Sequence, residues 1–156
     1  MWPGNWWHWV QGPLPNGAPL IPFILAMDKT QLTQFSGHRQ GYPVYITIGT
    51  LPKAIKKLSS MQSWILIGLL PMDSFDKLGL SKEAAKHLFH FCMSHLLEEI
   101  KIAGSDGVEM VSADGLAQLC FLILGSYIGD YPEYCLVSCT AYGACLIGNI
   151  AQHDMG

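Results

Sequence analysis

Short apolar blocks separated by polar residues run along the chain, and four of them have the length of β-strands. Each block ends at a glycine, a proline or a carboxylate. Runs of this length with such boundaries predict buried strands rather than helices. The four predicted strands are Phe23–Met27, Tyr42–Ile48, Trp64–Leu70 and Leu119–Gly129.

One longer stretch, Ser81–Ala103, has the periodicity of a helix. Apolar residues recur there at three- and four-residue intervals and form one face. They are Ala85, Leu88, Phe89, Cys92, Leu96, Ile100 and Ala103. Ser81 is a suitable N-cap and Glu83 suits the first turn, while Gly104 is expected to end the helix.

A hairpin is predicted after this helix. Two turn dipeptides, Asp106-Gly107 and Asp114-Gly115, flank a short segment, Val108–Ser112, that suits a strand. The order of elements is therefore strand, strand, strand, helix, hairpin and strand. This order is the opening of the ribonuclease H-like fold, in which the first strand and the strand after the helix are neighbours. We expect an α/β fold, an incomplete ribonuclease H-like core over residues 20–138.

The two ends of the chain differ from this core. Residues 1–19 are rich in tryptophan and proline and contain the turn dipeptide Asn16-Gly17, which predicts a loop-rich lead-in. Its tryptophans are expected to cover an edge of the core, with stacking on nucleic-acid bases as the alternative. They are Trp2, Trp6, Trp7 and Trp9. Residues 139–156 are expected to form a divergent tail.

Composition narrows the class of protein. Half of the 156 residues are hydrophobic and 13% are charged, which is typical of a globular chain. No apolar run has the length of a membrane span, and the N-terminus lacks the pattern of a signal peptide. The five cysteines form an odd set without a disulfide framework, so we expect reduced thiols, as in the nucleus or cytosol.

Charge is distributed unevenly. Residues 1–78 carry six basic and three acidic side chains, and residues 79–156 carry three basic and nine acidic ones. With a net charge of −3, the chain has no overall attraction to nucleic acid, so any DNA contact must be local or depend on a metal. The basic cluster of Lys53, Lys56 and Lys57 is interpreted as a solvated face. His87 and His90 lack the spacing of a zinc-binding helix and are interpreted as surface residues.

Two of the predicted strands end at a carboxylate, Asp28 after the first and Asp130 after the last. Either residue alone suits a turn. If the strands are neighbours, however, the two side chains converge at the sheet edge where α/β folds bind ligands. Adjacent carboxylates repel each other unless a cation lies between them. Oxygen ligands favour Mg²⁺ or Mn²⁺, ions that support phosphodiester chemistry, so Asp28 and Asp130 are the candidate metal ligands.

Several sequence blocks occur in the order found in one known family. The principal blocks are Asp28–Leu32, Tyr42–Gly49 and Gly129–Glu133, with shorter ones at Leu88–His90, Cys92–Met93, Gly107–Met110, Asp114–Gly115 and Cys135–Val137. Together they resemble the catalytic region of fungal Plavaka-type transposases, relatives of the CACTA cut-and-paste elements. The resemblance runs from about Trp6 to Cys145. It implies a nuclear DDE enzyme that cuts and rejoins DNA with a divalent metal, with Asp28 and Asp130 as its first two catalytic acids.

Two departures from this family pattern matter. The third acid of the family, a glutamate, is expected beyond residue 156, and Glu133 lies too close to Asp130 in sequence to be taken as its substitute. The Cys-x-x-Cys knuckle of the family is incomplete, because Gly148 stands where Cys145 needs a partner. We therefore expect a truncated transposase segment that is inactive alone. The alternatives are a non-catalytic interaction module that self-associates through uncovered apolar surface, and an independent nuclease.

Overall fold

A computed structural model describes residues 4–31, 40–71, 79, 81–143 and 145–146, which form a mixed α/β fold. None of the helices within these ranges is long and apolar enough to cross a membrane. In chain order the elements are α1 (Asn5–Gln11), β1 (Leu20–Met27), β2 (Thr30–Gln31), β3 (Gln40–Ile48), α2 (Lys53–Lys56), a 3₁₀ turn (Ser59–Met61), β4 (Ile65–Pro71), α3 (Lys82–Leu96), α4 (Glu98–Ser105), β5 (Val108–Val111), β6 (Ala117–Ile128) and α5 (Tyr131–Val137).

Strand β1 is the centre of the mixed sheet. It pairs antiparallel with β3 on one side and parallel with β6 on the other. Strand β4 pairs with β3, and β5 forms the predicted antiparallel hairpin with β6. The predicted neighbourhood of the first strand and the strand after the helix is therefore confirmed.

Strand β2 prolongs β1 along β3. Two residues lie between the last β1 pair and the first β2 pair on each strand, so the register is unchanged across the gap. The interruption falls at Asp28 and Lys29. The register position opposite Asp28 is Pro43, which has no N–H to donate to a neighbouring strand. The ladder is thus broken where the first predicted metal ligand stands.

The main core lies between the sheet and α3. Phe89 and Met93 of α3 pack on apolar side chains of three strands, and burying these side chains stabilises the fold. The buried strand residues are Phe23, Leu25, Met27, Tyr42, Val44 and Leu70. A second, smaller cluster joins Trp7 of α1 to Leu20 and Phe121. The N-terminal helix therefore covers one end of the sheet.

The predicted helix Ser81–Ala103 is divided into α3 and α4 at Leu97. The expected N-cap is confirmed, because the hydroxyl of Ser81 accepts a hydrogen bond from the backbone N–H of Ala84 at 3.2 Å. The expected end at Gly104 is wrong, since α4 continues to Ser105. A Cβ at Gly104 would lie 2.7 Å from the carbonyl oxygen of Leu122, so glycine is needed there for close packing on β6.

The expectation of a loop-rich lead-in is partly wrong. Residues Asn5–Gln11 form α1, and Trp7 in this helix is only 8% exposed whereas Trp9 is 78% exposed. The turn-forming prolines begin at Pro13, after the helix, so they did not oppose it. Burial of Trp7 against the sheet stabilises a helix too short to be stable alone. Trp2, the segment 32–39 and most of the predicted tail, residues 147–156, lie outside the described residues.

Candidate metal centre

Asp28 and Asp130 follow the ends of two parallel neighbouring strands. Each lies two residues beyond the last register pair, Ala26–Ile128. Parallel strands bring their carboxyl ends to the same sheet edge, so the two aspartates face one region. Both side chains are exposed. The structure therefore brings together the two residues that the sequence identified.

Helix α5 begins at the second aspartate. Asp130 is its N-cap, with extended backbone, and Oδ1 accepts a hydrogen bond from the backbone N–H of Glu133 at 3.1 Å. Pro132 in the first turn suits a helix start, where its missing N–H costs no hydrogen bond. This cap fixes both the orientation of Asp130 and the position of Glu133 in the first turn.

The carboxylate of Glu133 joins those of Asp28 and Asp130. One oxygen from each of the three side chains lies within 4.8 Å of the other two. In contrast to the exposed aspartates, Glu133 is 1% exposed. A cavity of about 280 Å³ opens beside the aspartates and has Tyr45 on its wall. The site thus combines a buried acid with two acids that solvent reaches.

The negative charge of the site acts on nearby tyrosines. Burial raises the pKa of Tyr42, and the charges of Asp130 and Asp28 raise it further. Burial is also the main cause that raises the pKa of Tyr127, and electrostatic interactions with Tyr134, Tyr42 and Asp130 raise it further. Within the described ranges, no lysine or arginine nitrogen forms an ion pair with the three carboxylates. Their charge is therefore not balanced by these side chains.

The donor set suits a hard divalent cation. All three groups are carboxylates, and Mg²⁺, Mn²⁺ and Ca²⁺ prefer such oxygen ligands to nitrogen or sulfur. Oε2 of Glu133 is buried and has no hydrogen-bond partner among the described residues. A buried carboxylate oxygen of this kind is costly unless a cation or proton compensates it. The residues present therefore fit a metal ion of this class.

In the sequence, the separation of only three residues from Asp130 argues against Glu133 as a third acid of the site. The structure nevertheless brings the carboxylates of the two residues together. A helix that starts at Asp130 turns Glu133 back toward its own N-cap, because residues three apart share a helix face. The useful signal is the spacing Asp-x-x-Glu with a proline inside, which is typical of a helix N-terminus. The spacing alone does not indicate the burial of Glu133, which depends on the packing of α5.

The two histidines of α3 differ in their exposure to solvent. His87 is exposed, as expected, but His90 is half-buried, so its interpretation as a surface residue is wrong. Its Nε2 lies 3.1 Å from the carbonyl oxygen of Leu136 and 3.1 Å from Sγ of Cys139, which connects α3 to α5 and the turn after it.

Of the three lysines in the basic cluster, two are exposed as a solvated face requires, namely Lys53 and Lys57. The third, Lys56, donates a hydrogen bond from Nζ to the carbonyl oxygen of Gly49 at 3.0 Å. This contact ties α2 to the end of β3. Lys56 therefore has a structural contact that the charge pattern does not reveal.

Comparison with known proteins gives one finding. The family model described as Plavaka transposase matches the chain over residues 1–156. No curated protein and no solved structure matches the chain.

Proposed function

This chain belongs to the Plavaka transposase family, and on that premise we propose that it forms the metal-binding part of a transposase catalytic domain that acts on DNA. The observation that carries the proposal is the convergence of Asp28 and Asp130 at the ends of parallel neighbouring strands. Two acids so placed are suited to hold Mg²⁺ or Mn²⁺ against a phosphate group. The proposal places the chain in the nucleus, where it would meet DNA. It also relates the chain to the CACTA cut-and-paste elements.

The proposed fold class is ribonuclease H-like, with the carboxylates as part of a DDE site. Three facts support it: β1, β3 and β4 form a consecutive antiparallel set, helices follow them, and β6 returns parallel to β1. The site at the carboxyl ends of β1 and β6 follows the general rule for sheets with parallel neighbours.

The residues of the site have separate tasks in this proposal. Asp28 and Asp130 present exposed carboxylates to the cavity, and the hydrogen bond from the Glu133 N–H orients Asp130. A divalent ion bound there would supply Lewis acidity toward phosphate oxygens and lower the pKa of a bound water. Without a cation, the carboxylates repel a DNA phosphate, because both are negatively charged. DNA approach to this edge therefore depends on the ion.

We further propose that the 156 residues alone bind metal without cutting DNA. The described residues contain a single cluster of three or more potential metal ligands, Asp28, Asp130 and Glu133. Three carboxylates at one point suit one ion, whereas phosphodiester displacement by a pair of ions needs a second position. A plasmid-nicking assay with Mn²⁺ tests this directly, and supercoiled plasmid should persist in the presence of the wild-type chain. Nicking by the wild type that is absent with Asp28→Asn would overturn the proposal of inactivity.

Thermal unfolding tests the proposal of metal binding. Mn²⁺ or Mg²⁺ at about 100 times its dissociation constant should stabilise the wild-type chain by about 2.7 kcal/mol, because the ion binds the folded state alone. The double variant Asp28→Asn with Asp130→Asn should show no such shift, since Asn keeps the shape but loses the charge. Equal melting temperatures of the wild type with and without the ions would contradict metal binding.

A second candidate function, an interaction module, has its own supporting observation. Strand β4 pairs with β3 alone among the described strands, and its Leu66 and Leu69 are 54% and 49% exposed. They face the same side of the sheet as Tyr45, which is 36% exposed. An exposed apolar edge strand favours pairing with another chain. Sedimentation analysis should then show association that Leu66→Lys abolishes, and a wild-type monomer at high concentration would reject this candidate.

A further inference from the structure

Glu133 is a buried acid whose environment supplies no protein partner for one of its oxygens. The residue is 1% exposed, and Oε2 has no hydrogen-bond partner among the described residues. Glutamate is almost never fully buried unless it is paired, because removing a charge from water is costly. Hydrophobic packing therefore does not explain why a glutamate stands here.

The local backbone holds Glu133 at the strand ends. The side chain of Asp130 accepts a hydrogen bond from the Glu133 N–H at 3.1 Å, which fixes the first turn of α5. A Cβ at Gly129 would lie 3.1 Å from the Cβ of Glu133 and 3.4 Å from the carbonyl oxygen of Met27. Glycine at position 129 thus allows Glu133 to pack closely against the end of the sheet.

The direction of Glu133 distinguishes it from a residue that only caps the helix. One of its carboxylate oxygens lies within 4.8 Å of oxygens of both Asp28 and Asp130. Three carboxylates at this separation repel one another strongly unless a proton or a cation compensates them. The lysines that the structure describes form no ion pair with them. The buried oxygen and the convergence of the three groups are independent observations that indicate the same ligand.

We propose that Glu133 is the third protein ligand of the divalent ion held by Asp28 and Asp130. This inference rests on the proposed function, because it assumes that the two aspartates bind an ion. Glu133 supplies the buried side of the site, and the exposed aspartates supply the side that faces the cavity. The remaining coordination positions of Mg²⁺ or Mn²⁺ are then available to water or phosphate oxygens on the open side.

The test is Mn²⁺ binding to the full 156-residue chain, measured by electron paramagnetic resonance of free Mn²⁺. The wild type should bind one ion. Glu133→Gln keeps the side-chain volume and the backbone N–H that Asp130 accepts from. It should weaken binding by at least roughly 10-fold, because loss of a group that only supports a metal ligand already costs about 10–100-fold. Glu99→Gln, at an exposed position of α4, is the matched control and should bind as the wild type does.

The outcomes separate this inference from the proposed function. Wild-type affinity in Glu133→Gln would overturn the role of Glu133 and leave the aspartate site intact. Absence of Mn²⁺ binding by the folded wild type would overturn the proposed function itself. Glu133→Asp, which keeps the charge on a shorter side chain, should have intermediate affinity. It replaces Glu133→Gln if circular dichroism shows that the glutamine variant is unfolded, and wild-type affinity in the aspartate variant would then count against the inference.

Thermal unfolding gives a second readout that does not depend on catalysis. Without metal, Glu133→Gln should melt above the wild type, because it removes one of three mutually repelling carboxylates. With Mn²⁺ in excess the order should reverse, because the wild type gains more from the ion. Glu133 protonated in the folded chain is the competing account. In that account, Glu133→Gln and the wild type melt in the same order with and without Mn²⁺, and this result would overturn the inference.

Discussion

Asp28 and Asp130 stand in equivalent positions on two parallel strands, each two residues past the Ala26–Ile128 pair. The equivalence follows from strand order, because β6 returns beside β1 and runs in the same direction. One oxygen of each aspartate consequently lies within 4.8 Å of the other. Distant parts of the chain thus create a negative site whose stability depends on what compensates its charge.

Asp28→Asn should have opposite effects on the free and the metal-bound chain. Without metal, the variant should melt slightly above the wild type, since one repelling charge is removed. With Mn²⁺ in excess it should melt below the wild type. Differential scanning calorimetry with and without Mn²⁺ measures both. Glu99→Gln should show the same metal-dependent shift as the wild type, and a shift of equal size in Asp28→Asn and the wild type would contradict the assignment.

Substitutions at Asp130 should separate its structural role from its role at the site. Asp130→Asn keeps an oxygen that can cap α5 and removes one of the repelling charges, so without metal it should be at least as stable as the wild type. Asp130→Ala also loses the hydrogen bond from the Glu133 N–H and should be about 0.5–2 kcal/mol less stable than the asparagine variant in urea unfolding. Both variants should lose Mn²⁺ binding. Equal stability of the alanine and asparagine variants would show that the cap contributes nothing.

Gly104→Ala should destabilise the fold although alanine favours helices. The new Cβ would lie 2.7 Å from the carbonyl oxygen of Leu122, which a backbone shift must relieve. A loss of about 1–3 kcal/mol is expected from such overpacking. Lys101→Ala, at an exposed position of the same helix, is the control in urea unfolding and should change stability by less than about 0.5 kcal/mol. A more stable Gly104→Ala would mean that helix propensity outweighs the contact.

Tyr127→Phe should reduce the loss of stability at alkaline pH. Burial raises the pKa of Tyr127 above its ordinary value, so the unfolded chain releases this proton at a lower pH than the native state does. The stabilising contribution is complete below pH of about 10 and is lost as the pH rises above it. Above this pH, the free energy of unfolding of the phenylalanine variant should therefore decline less steeply than that of the wild type. The upper limit of the difference is about 1.4 kcal/mol per pH unit, and partial exposure of the ring reduces it.

Urea unfolding between pH 8 and 11 measures this difference. Tyr142→Phe, at a residue that is 76% exposed, is the control and should follow the wild type. The Tyr127 hydroxyl is buried without a hydrogen-bond partner among the described residues, so the Phe variant should lose little stability at neutral pH. Parallel alkaline declines of the wild type and Tyr127→Phe would contradict the raised pKa.

Strands and their order can be predicted from the sequence because the signals are local. Compact apolar runs bounded by turn residues identify β1, β3, β4 and β6, and the two Asp-Gly dipeptides identify the hairpin. The order of these elements then implies that Asp28 and Asp130 are neighbours. That part of the candidate site needs no knowledge of side-chain packing.

The rest of the site depends on tertiary packing. Apolar periodicity continues from Leu96 to Ile100, so the pattern gives no sign of the break at Leu97. Glycine is the residue type expected at a helix end, but Gly104 lies inside α4, where its close contact with β6 requires glycine. Burial of Glu133 likewise follows from α5 packing against the end of the sheet, which three residues of separation from Asp130 do not reveal. Local patterns thus identify elements better than the contacts between them.

The most direct test of the account is an anomalous diffraction experiment on crystals of the chain grown with Mn²⁺. We expect one strong anomalous peak in contact with the carboxylates of Asp28 and Asp130, with Glu133 on its buried side. Asp28→Asn crystals grown in the same way should lack the peak. Asp28 and Asp130 carboxylates far apart, or together with no peak between them in the wild type, would contradict the central claim that this sheet edge is a divalent-metal site.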